Sequence, residues 1–600
     1  MLTDRRVEAR LGGEQVSIGS SRGCPQGGVL SPFLWCLVVN EILHILREEH
    51  GVYAQAYADD LVIMTQGTDV RRMQGLLNGA LARFSQWCLD SKLAVNPSKV
   101  EMVIFTRKRK MECNLNISMD GVPLSASGSV KYLGVWLDSK LTFQEHIRSR
   151  TRSAFGALWA CRRAVGGTWG LGPKIMQWIY GTMVVPMLTH GAVAWWPGTK
   201  RAGARLVLDR LQRLACLCIT GAMRTAPTRA LEALVGLPSL ADRVQMEAAR
   251  TAVRLASCGL WREGTLNRGP YDILEGCRGD RGVMGMPSDV MIPEMTFFDK
   301  LTFLFPSRED WREGRVGSWD GLVWYTDGSR MGDLAGAGAY CETTGSSLSV
   351  PLGQYCTVFQ AEIFALLMAA REVLRLNYGS RRVFFCSDSR AALMALKSVR
   401  TRSLLIKECK GVLRRVAEER KVTLVWVPGH TGVRGNEAAD ALAREGSSHR
   451  HIGPEPRLGI APCVRRGALE AWARDRAAGG WRVAPGMRQA RLMMDGPALP
   501  RTRELLRLTR RECRALTGAY TGHCRLRRHL CLLGIGDDPE CRWCMEGEET
   551  PYHLLTECPA LTWARLGVFG TALIDPDSVH GIGLKELLTF YRRGGILDAL

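Results

Sequence analysis

Apolar residues recur with different spacings in successive parts of the chain, and these changes predict its organisation. Between residues 71 and 93 apolar side chains recur at helical intervals, which predicts one amphipathic helix. They are Met73, Leu76, Leu77, Leu81, Phe84 and Trp87. Short runs rich in Val, Ile and aromatic residues continue to about residue 140 and predict strands. Residues 143–260 then have the pattern of helices, with few strand signals.

The second half of the chain changes pattern twice more. Residues 261–318 are rich in Gly, Pro and charge without sustained periodicity, so we expect a connector. From residue 320 strands alternate with helices over the length of one α/β domain. Residues 449–600 are rich in Arg and mainly helical in pattern. We therefore predict a multidomain α/β and α+β protein, divided into 1–142, 143–260, 261–318, 319–448 and 449–600.

Composition restricts the class of protein. The chain has 600 residues, of which 46% are apolar and 23% charged, as in globular proteins. Its 80 Lys and Arg residues exceed its 59 Asp and Glu residues, for a net charge of +21. That excess favours a polyanionic partner such as nucleic acid; basic organellar and membrane-surface proteins share it.

Two features bear on cellular location. The first residues, MLTDRRVEARLGGE, have no apolar core and do not resemble a signal peptide or anchor; the 20 scattered Cys are then typical of reduced thiols. The segment from Trp178 to Thr199 lacks Lys, Arg, Asp and Glu but contains Pro186 and His190. We expect buried helices there, with a membrane span as the alternative. The expected location is nuclear or cytoplasmic, neither secreted nor in a membrane.

Two adjacent acids, Asp59 and Asp60, interrupt the apolar run AYADDLVIM. We predict that they lie at the tip of a hairpin, where carboxylates can hold one or two Mg²⁺ ions. An ordinary turn, in which Asp is common, is the alternative. Upstream, RGCPQGGVLSPFLWCLVVNEIL (22–43) joins a Gly- and Pro-rich loop to an apolar helix. Ser31 and Pro32 suit the start of that helix.

Together these motifs resemble the palm of reverse transcriptases, especially those of non-LTR (LINE-like) retrotransposons. KYLGVWLD (131–138) and later runs extend the resemblance over roughly residues 1–245. It implies a partial right-hand polymerase palm followed by a helical thumb. In that palm Asp59 and Asp60 would bind the metal ions, and three loop residues would position template and nucleotide. These three are Pro25, Gln26 and Gly27.

The family's palm also needs a further Asp, on a strand well upstream of the PQG loop. Asp4 is the sole candidate, and it lies too close to leave room for the intervening helix and strand. We therefore expect the chain to be the downstream part of a longer polyprotein. Two-metal chemistry loses most of its rate when one ligand group is removed, so we expect no detectable DNA synthesis.

A second set of acids follows the strands and helices predicted between 320 and 448. One strand ends at Asp327 and is followed by a turn, another ends at Asp388, and Glu362 lies early in a helix. Asp440 lies on a helix after a PGHTG loop that contains His430. Strand ends converge at one edge of an α/β sheet, and clustered carboxylates repel one another unless cations bind. Taken singly, each acid is better explained as a helix cap or surface charge.

Taken together, these elements match the ribonuclease H family: TDGS, AE-x-x-AL, SDS and PGH-x-G-x-x-GNE-x-AD-x-LA. The resemblance implies Mg²⁺ (or Mn²⁺) bound by four acids, Asp327, Glu362, Asp388 and Asp440. His430 would assist proton transfer or product release. Hydrolysis of RNA in an RNA–DNA hybrid requires contact with 2′-OH groups, for which Asn436 and the Gly328–Ser329 turn are candidates.

Four soft ligands in the tail have spacings suited to tetrahedral Zn²⁺. They form the pattern C-x2-C-x8-H-x4-C at Cys541, Cys544, His553 and Cys558. Chance is the alternative in a chain with 20 Cys and 11 His. A similar element, resembling a zinc knuckle, follows the RNase H region in many non-LTR polyproteins, and this resemblance favours structural zinc.

Arginines precede this Cys/His element and are predicted to share one helical face. They are Arg503, Arg507, Arg510, Arg511 and Arg514. Phosphate contact is the expected role, and a solvated face is the alternative.

The combined expectation is a retrotransposon Pol chain that hydrolyses RNA in RNA–DNA hybrids with metal ions. The hydrolase is attached to an RNA-directed DNA polymerase domain without its first Asp. One alternative is an active reverse transcriptase when the upstream portion is supplied. Another is a decayed element that retains only nucleic-acid binding. The expected partners are RNA–DNA hybrids, element RNA and target DNA.

Overall fold

The structure, a computed structural model, describes residues 5–20, 27–106, 108, 115–261, 272–277, 282–297, 300–316, 319–376, 382–597 and 599. The chain divides into two compact units, residues 1–146 and 147–600. Pro25, Gln26 and Asp4 lie outside the described residues.

The first unit is built from hairpins and two long helices. Helix α2 confirms the amphipathic helix predicted from the spacing of apolar residues, and Asp69 caps it by accepting from the Arg71 amide at 2.9 Å. The core of this first unit contains Ile42, Leu46 and Trp87, which pack together with the first strand of a hairpin. The elements are β1 Arg5–Leu11, β2 Glu14–Ser20, α1 Ser31–Arg47, β3 Val52–Tyr57, β4 Asp60–Thr65, α2 Val70–Asp90, β5 Met102–Val103, β6 Ser118–Met119, β7 Val122–Pro123, β8 Ala126–Ser127, β9 Ser129–Tyr132 and β10 Val135–Asp138.

A helical region follows, as the apolar pattern predicts. Its elements are α3 Gln144–Arg162, α4 Pro173–Ile179, α5 Val185–Thr189, α6 Ala192–Trp195, α7 Ala202–Thr220, α8 Thr228–Val235, α9 Leu240–Ser257 and α10 Ile273–Gly276. The uncharged segment 178–199 passes through a π-helical turn at Tyr180–Val184 and several short helices. In the described part of the chain, no helix combines the length and apolarity needed to cross a bilayer.

A six-stranded mixed sheet forms the next part. Its strand order is β12-β18-β16-β13-β14-β15; β13, β16, β18 and β12 are parallel, and β14 and β15 are antiparallel to their neighbours. The elements are β11 Val290–Met295, β12 Thr302–Leu304, α11 Arg308–Arg312, β13 Leu322–Met331, β14 Leu334–Cys341, β15 Ser347–Gly353, α12 Val358–Arg375, β16 Arg382–Ser387, α13 Arg390–Lys397, β17 Arg400–Ser403, α14 Leu404–Glu419, β18 Lys421–Trp426 and α15 Arg434–Ser448.

Side chains of β13 alternate between two cores, as the pleat of a strand requires. Leu322 and Trp324 face the core that contains α12 and α14, whereas Val323 and Tyr325 face the other side of the sheet, with Ala439 of α15. The sheet therefore carries helices on both faces.

The prediction that residues 261–318 form only a linker is wrong, because two of these strands lie within that range. Strand β12 joins the sheet beside β18, and β11 pairs with β17. A three-residue strand carries too little periodicity to be recognised in a sequence.

The tail is helical and packs against the helical region. Leu506 lies in the core formed by α4, α5 and α7, and Ala233 and Leu234 of α8 lie in the core of the tail. The tail helices are α16 Pro462–Val483, α17 Arg488–Met493, α18 Leu499–Leu505, α19 Arg510–Thr521, α20 Arg527–Leu532, α21 Pro551–Thr556, α22 Thr562–Phe569 and α23 Leu584–Arg593.

The chain enters and leaves the sheet domain at neighbouring points. Ser288 and Ile460 form a parallel bridge, in which the Ile460 amide donates to Pro287 at 2.8 Å and the Asp289 amide donates to Ile460 at 3.2 Å. Gln360 adds a 2.8 Å hydrogen bond to the Gly459 carbonyl. The helical region and the tail thus flank an α/β domain whose two ends are joined.

Candidate active site and metal centre

Three carboxylates from three elements meet at one edge of the mixed sheet. Asp327 lies in β13, Glu362 in α12, and Asp388 directly after β16. One carboxylate oxygen from each lies within 4.8 Å of the others. Parallel pairing of β13 with β16, in the register Thr326 to Ser387, brings the two Asp residues to the same edge. The structure thus brings together three of the four predicted acids.

Local sequence explains how α12 approaches β13. Thr357 and Gln360 form a capping box that starts the helix one turn before Glu362. A Cβ at Gly328 would lie 2.4 Å from the Glu362 amide nitrogen, so only glycine leaves room for this contact. Strand β13 continues through Met331. The predicted end at Asp327 and the Gly328–Ser329 turn are therefore wrong, because β13 pairs with β14 as far as Met331.

The electrostatics of the cluster favour a cation. Burial, reinforced by Asp388 and Asp440, raises the pKa of Asp327 to about 7. Burial and the charge of Asp327 raise the pKa of Glu362 well above its usual range, and burial raises the pKa of Asp388. Glu362 Oε2 is buried, and no described residue gives it a hydrogen bond. Carboxylate oxygens held this way fit Mg²⁺, whose charge would favour their ionised forms.

The other predicted residues lie around this group. Asp440 is outside the 4.8 Å set and pairs with Arg444 at 2.7 Å. Asn436 is buried, and its Nδ2 lies 3.5 Å from Asp388 Oδ2. Its side chain therefore contacts the Asp388 carboxylate rather than solvent. His430 is exposed on its loop at φ 54°, and its charge lowers the pKa of Asp388 against the larger effect of burial.

The hairpin predicted around Asp59 and Asp60 is present. Strands β3 and β4 are antiparallel and pair Tyr57 with Asp60, so Asp59 lies in the turn and both acids are exposed. Trp35 of α1 donates to the Ala58 carbonyl at 2.7 Å and holds the turn. Among the described residues, no group of three metal-ligating side chains includes this pair.

The predicted Cys₃His ligands also converge. One ligand atom from each of Cys541, Cys544, His553 and Cys558 lies within 4.8 Å of the others. Cys541 Sγ and Cys558 Sγ are 3.9 Å apart, and Cys544 Sγ is 3.3 Å from His553 Nε2. Burial and the Cys541 charge raise the pKa of Cys558 to about 12, so ionised thiolates here require a cation. Three thiolates and an imidazole are a donor set that Zn²⁺ favours.

Sequence reasoning missed the residues that support this element. Glu549 is fully buried and accepts hydrogen bonds from the Arg527 and Arg542 amides, both at 2.9 Å, and from the Arg542 guanidinium. Arg565 is also fully buried and donates to the Cys558 carbonyl at 2.7 Å. A glutamate within the Cys/His spacing and an arginine just after it carry no sequence pattern that distinguishes them from surface charges.

The predicted arginine stripe needs correction. Helix α18 ends at Leu505 and α19 begins at Arg510, so the arginines do not share one helix. Arg510 is buried and donates to the Leu171 and Cys218 carbonyls, both at 2.8 Å, so its guanidinium is not free for phosphate. Arg503, Arg507 and Arg511 are exposed, and Arg514 is half-buried.

Comparisons with known proteins match two parts of the chain to families. Residues 4–137 match the model of the family "Reverse transcriptase (RNA-dependent DNA polymerase)", and residues 320–448 match that of "RNase H". RNase H1 from Halobacterium salinarum is 24% identical and covers 21% of this chain and 97% of its own, with a TM-score of 0.18. The fold assignment therefore rests on the strand and helix order described above.

Other relatives are proteins of mobile elements. The putative 115 kDa protein of the Drosophila melanogaster type-1 element R1DM is 28% identical over 39% of this chain and 23% of its own length. The Pol polyprotein of the Nasonia vitripennis element R1 is 26% identical over 36% and 64%. The RNA-directed DNA polymerase of the Drosophila melanogaster element jockey is 29% identical over 42% and 28%. The matches thus span less than two thirds of these relatives.

Residues 4–137 thus match a reverse transcriptase domain and residues 320–448 an RNase H domain. With this combination of domains, the chain is similar to the Pol proteins of non-LTR, R1/jockey-like retrotransposons.

Proposed function

We propose that this chain hydrolyses the RNA strand of RNA–DNA hybrids at the carboxylate cluster of its RNase H domain. The observation that carries the proposal is the meeting of Asp327, Glu362 and Asp388, largely buried and from three separate elements. The match of residues 320–448 to the RNase H family model supports RNA–DNA hybrids as the substrate class.

Each residue has a role that follows from its position. Asp327, Glu362 and Asp388 would hold Mg²⁺ or Mn²⁺, which supplies charge stabilisation for the attacking and leaving oxygens of a phosphodiester. Asp440, at the margin of the cluster, completes the ligand set once it leaves Arg444. Exposed His430 exchanges a proton with the product. Buried Asn436 orients Asp388. Residues at the open edge of the site contact the 2′-OH groups of the RNA strand.

The experiment is cleavage of a labelled RNA–DNA hybrid by the 600-residue chain with Mg²⁺. Asp388→Asn should abolish cleavage, because it removes a ligand charge from the centre of the cluster. Asp333→Asn is the matched control, since Asp333 lies in the same domain on an exposed turn, and it should cleave normally. Full activity of Asp388→Asn would refute the assignment.

A second proposal concerns the reverse transcriptase domain. Asp59 and Asp60, at the turn of the β3–β4 hairpin, would contribute to a polymerase metal site that is completed by carboxylates of other elements. Primer extension on an RNA template that disappears in Asp59→Asn would support an active reverse transcriptase. Extension that is unchanged in Asp59→Asn would contradict this role for the pair. Binding of hybrid without either activity would favour a decayed element.

We further propose structural Zn²⁺ at the Cys₃His element and nucleic-acid contact by exposed arginines of the tail. The convergence of four soft ligands supports the first, and the exposure of Arg503 and Arg507 supports the second. Metal analysis of the purified chain tests zinc: about one equivalent is expected, and none in a Cys541→Ser, Cys558→Ser double variant.

A further inference from the structure

Helix α8 is packed between two hydrophobic cores. Leu231 and Val235 belong to the core of the helical region, together with side chains of α4, α5 and α7. Ala230, Ala233 and Leu234 belong to the core of the tail. An eight-residue helix is too short to persist alone in water, so its stability depends on both cores.

The tail core contains two of the proposed zinc ligands. Cys541 and Cys558 are fully buried and lie in the same packed cluster as Ala233 and Leu234. An ion held by Cys541, Cys544, His553 and Cys558 would link these side chains to one another and so fix the part of the core that they occupy. The state of the metal site therefore bears on the packing against α8.

Polar contacts join the same surfaces. Thr502 Oγ1 donates to the Leu234 carbonyl at 3.0 Å. Gly236 ends α8 at φ 63°, and a Cβ there would lie 3.0 Å from Thr502 Oγ1. Buried Arg510 donates to carbonyls of the helical region, and His529 Nε2 lies 3.2 Å from Thr225 Oγ1. The tail is therefore fixed to the end of α8 by hydrogen bonds as well as by apolar contact.

We propose that metal bound at the Cys₃His element stabilises helix α8 and, through it, the helical region that precedes the RNase H domain. The inference rests on the zinc proposal but goes beyond it. It assigns the ion to a junction between two segments on either side of the RNase H domain in sequence, rather than to nucleic-acid contact alone.

Hydrogen exchange of the full chain tests this coupling. Removal of zinc with a chelator should speed exchange of amides 228–235 by about tenfold or more, because opening of the tail core exposes them. Addition of Zn²⁺ should restore protection. Helix α12, which lies in the separate core of the mixed sheet, should exchange at the same rate in both states. Zinc release without a change at 228–235 would overturn the proposal.

Two variants distinguish the coupling between the metal site and helix α8 from the folding of the metal site itself. Thr502→Val removes the hydrogen bond to Leu234 without touching a ligand; it should keep its zinc and exchange amides 228–235 roughly fivefold faster. Cys463→Ser changes an exposed cysteine of α16 and should alter neither property. Normal protection in Thr502→Val would count against the junction. If the chain binds no zinc at all, both the zinc proposal and this inference fail.

Discussion

The two acidic sites of this chain differ in how they are built. Asp59 and Asp60 are consecutive residues of one hairpin and are both exposed. Asp327, Glu362 and Asp388 come from two strands and a helix, and the first two are buried. Two adjacent carboxylates supply too few ligands to enclose an ion by themselves. Carboxylates from separate elements converge because the sheet register and the helix contact fix them.

The convergence of the three acids also determines the electrostatics of the cluster. In the cluster, burial and like charge together raise the pKa values of all three carboxyls. An exposed pair is solvated by water and needs further protein ligands to become a metal site. Metal binding at the hairpin therefore depends on other elements, whereas three carboxylates of the cluster already converge within 327–388.

The largest expected effect distinguishes the two sites directly. Glu362→Gln should reduce hybrid cleavage by about 100-fold or more, because it removes a ligand charge that stabilises the transition state. Asp59→Asn should leave cleavage unchanged. Single-turnover cleavage with both variants measures the contrast, and an equal loss in the two would mean that the hairpin takes part in hydrolysis.

Close packing of α12 on β13 should be visible in stability. Gly328→Ala places a Cβ 2.4 Å from the Glu362 amide nitrogen, which should lower the free energy of unfolding by about 1–3 kcal/mol. Gly411→Ala is the control: it lies in helix α14 with nothing within 4 Å of the added Cβ, so it should be neutral or slightly stabilising. Denaturant unfolding followed in the RNase H domain tests both, and equal stability would refute the packing argument.

The raised pKa of Asp327 predicts that, without metal, the stability of the folded state depends on pH. The folded state holds its proton to pH about 7, whereas the unfolded chain releases it near pH 4. Between these values the folded state binds more protons, so stability should fall as pH rises from about 4 to 7. Thermal unfolding in chelator should show this decline, and Asp327→Asn should flatten it. A rise in wild-type stability over the same range, with Asp327→Asn unchanged, would contradict the assignment.

The smallest effect concerns the arginines of the tail. Arg507→Gln should weaken nucleic-acid binding and reduce the dependence of log K on log salt by roughly one unit. Arg510→Gln should instead destabilise the helical body, because its guanidinium bonds to carbonyls. Binding titrations at several salt concentrations, with melting curves of both variants, distinguish the roles. A reduced salt slope in Arg510→Gln at unchanged stability would reverse them.

Motif spacing, together with the family resemblance, predicted which residues the structure brings together. The RNase H acids and the Cys₃His ligands stand in patterns fixed by the elements that carry them, and the structure brings together Asp327, Glu362 and Asp388, as well as the four tail ligands. Asp440 was predicted with them but pairs with Arg444. Because a metal site uses only a few residue types as ligands, a set of ligands can be recognised in a sequence.

Long-range packing was not predictable in the same way. Strand β12 is three residues long, and the burial of Glu549 and Arg565 depends on contacts that no local pattern records. The error at Arg510 was avoidable: Thr509 and Glu512 form a capping box, and that T-x-x-E spacing marks a new helix beginning at Arg510.

The joined ends of the α/β domain, where Pro287 and Asp289 pair with Ile460, have a consequence for how such a chain can evolve. Because entry and exit lie one hydrogen bond apart, a short connection could replace everything between them at little cost in loop-closure entropy. The RNase H domain could therefore be removed or exchanged as a unit, while the tail stays packed against the helices that precede it.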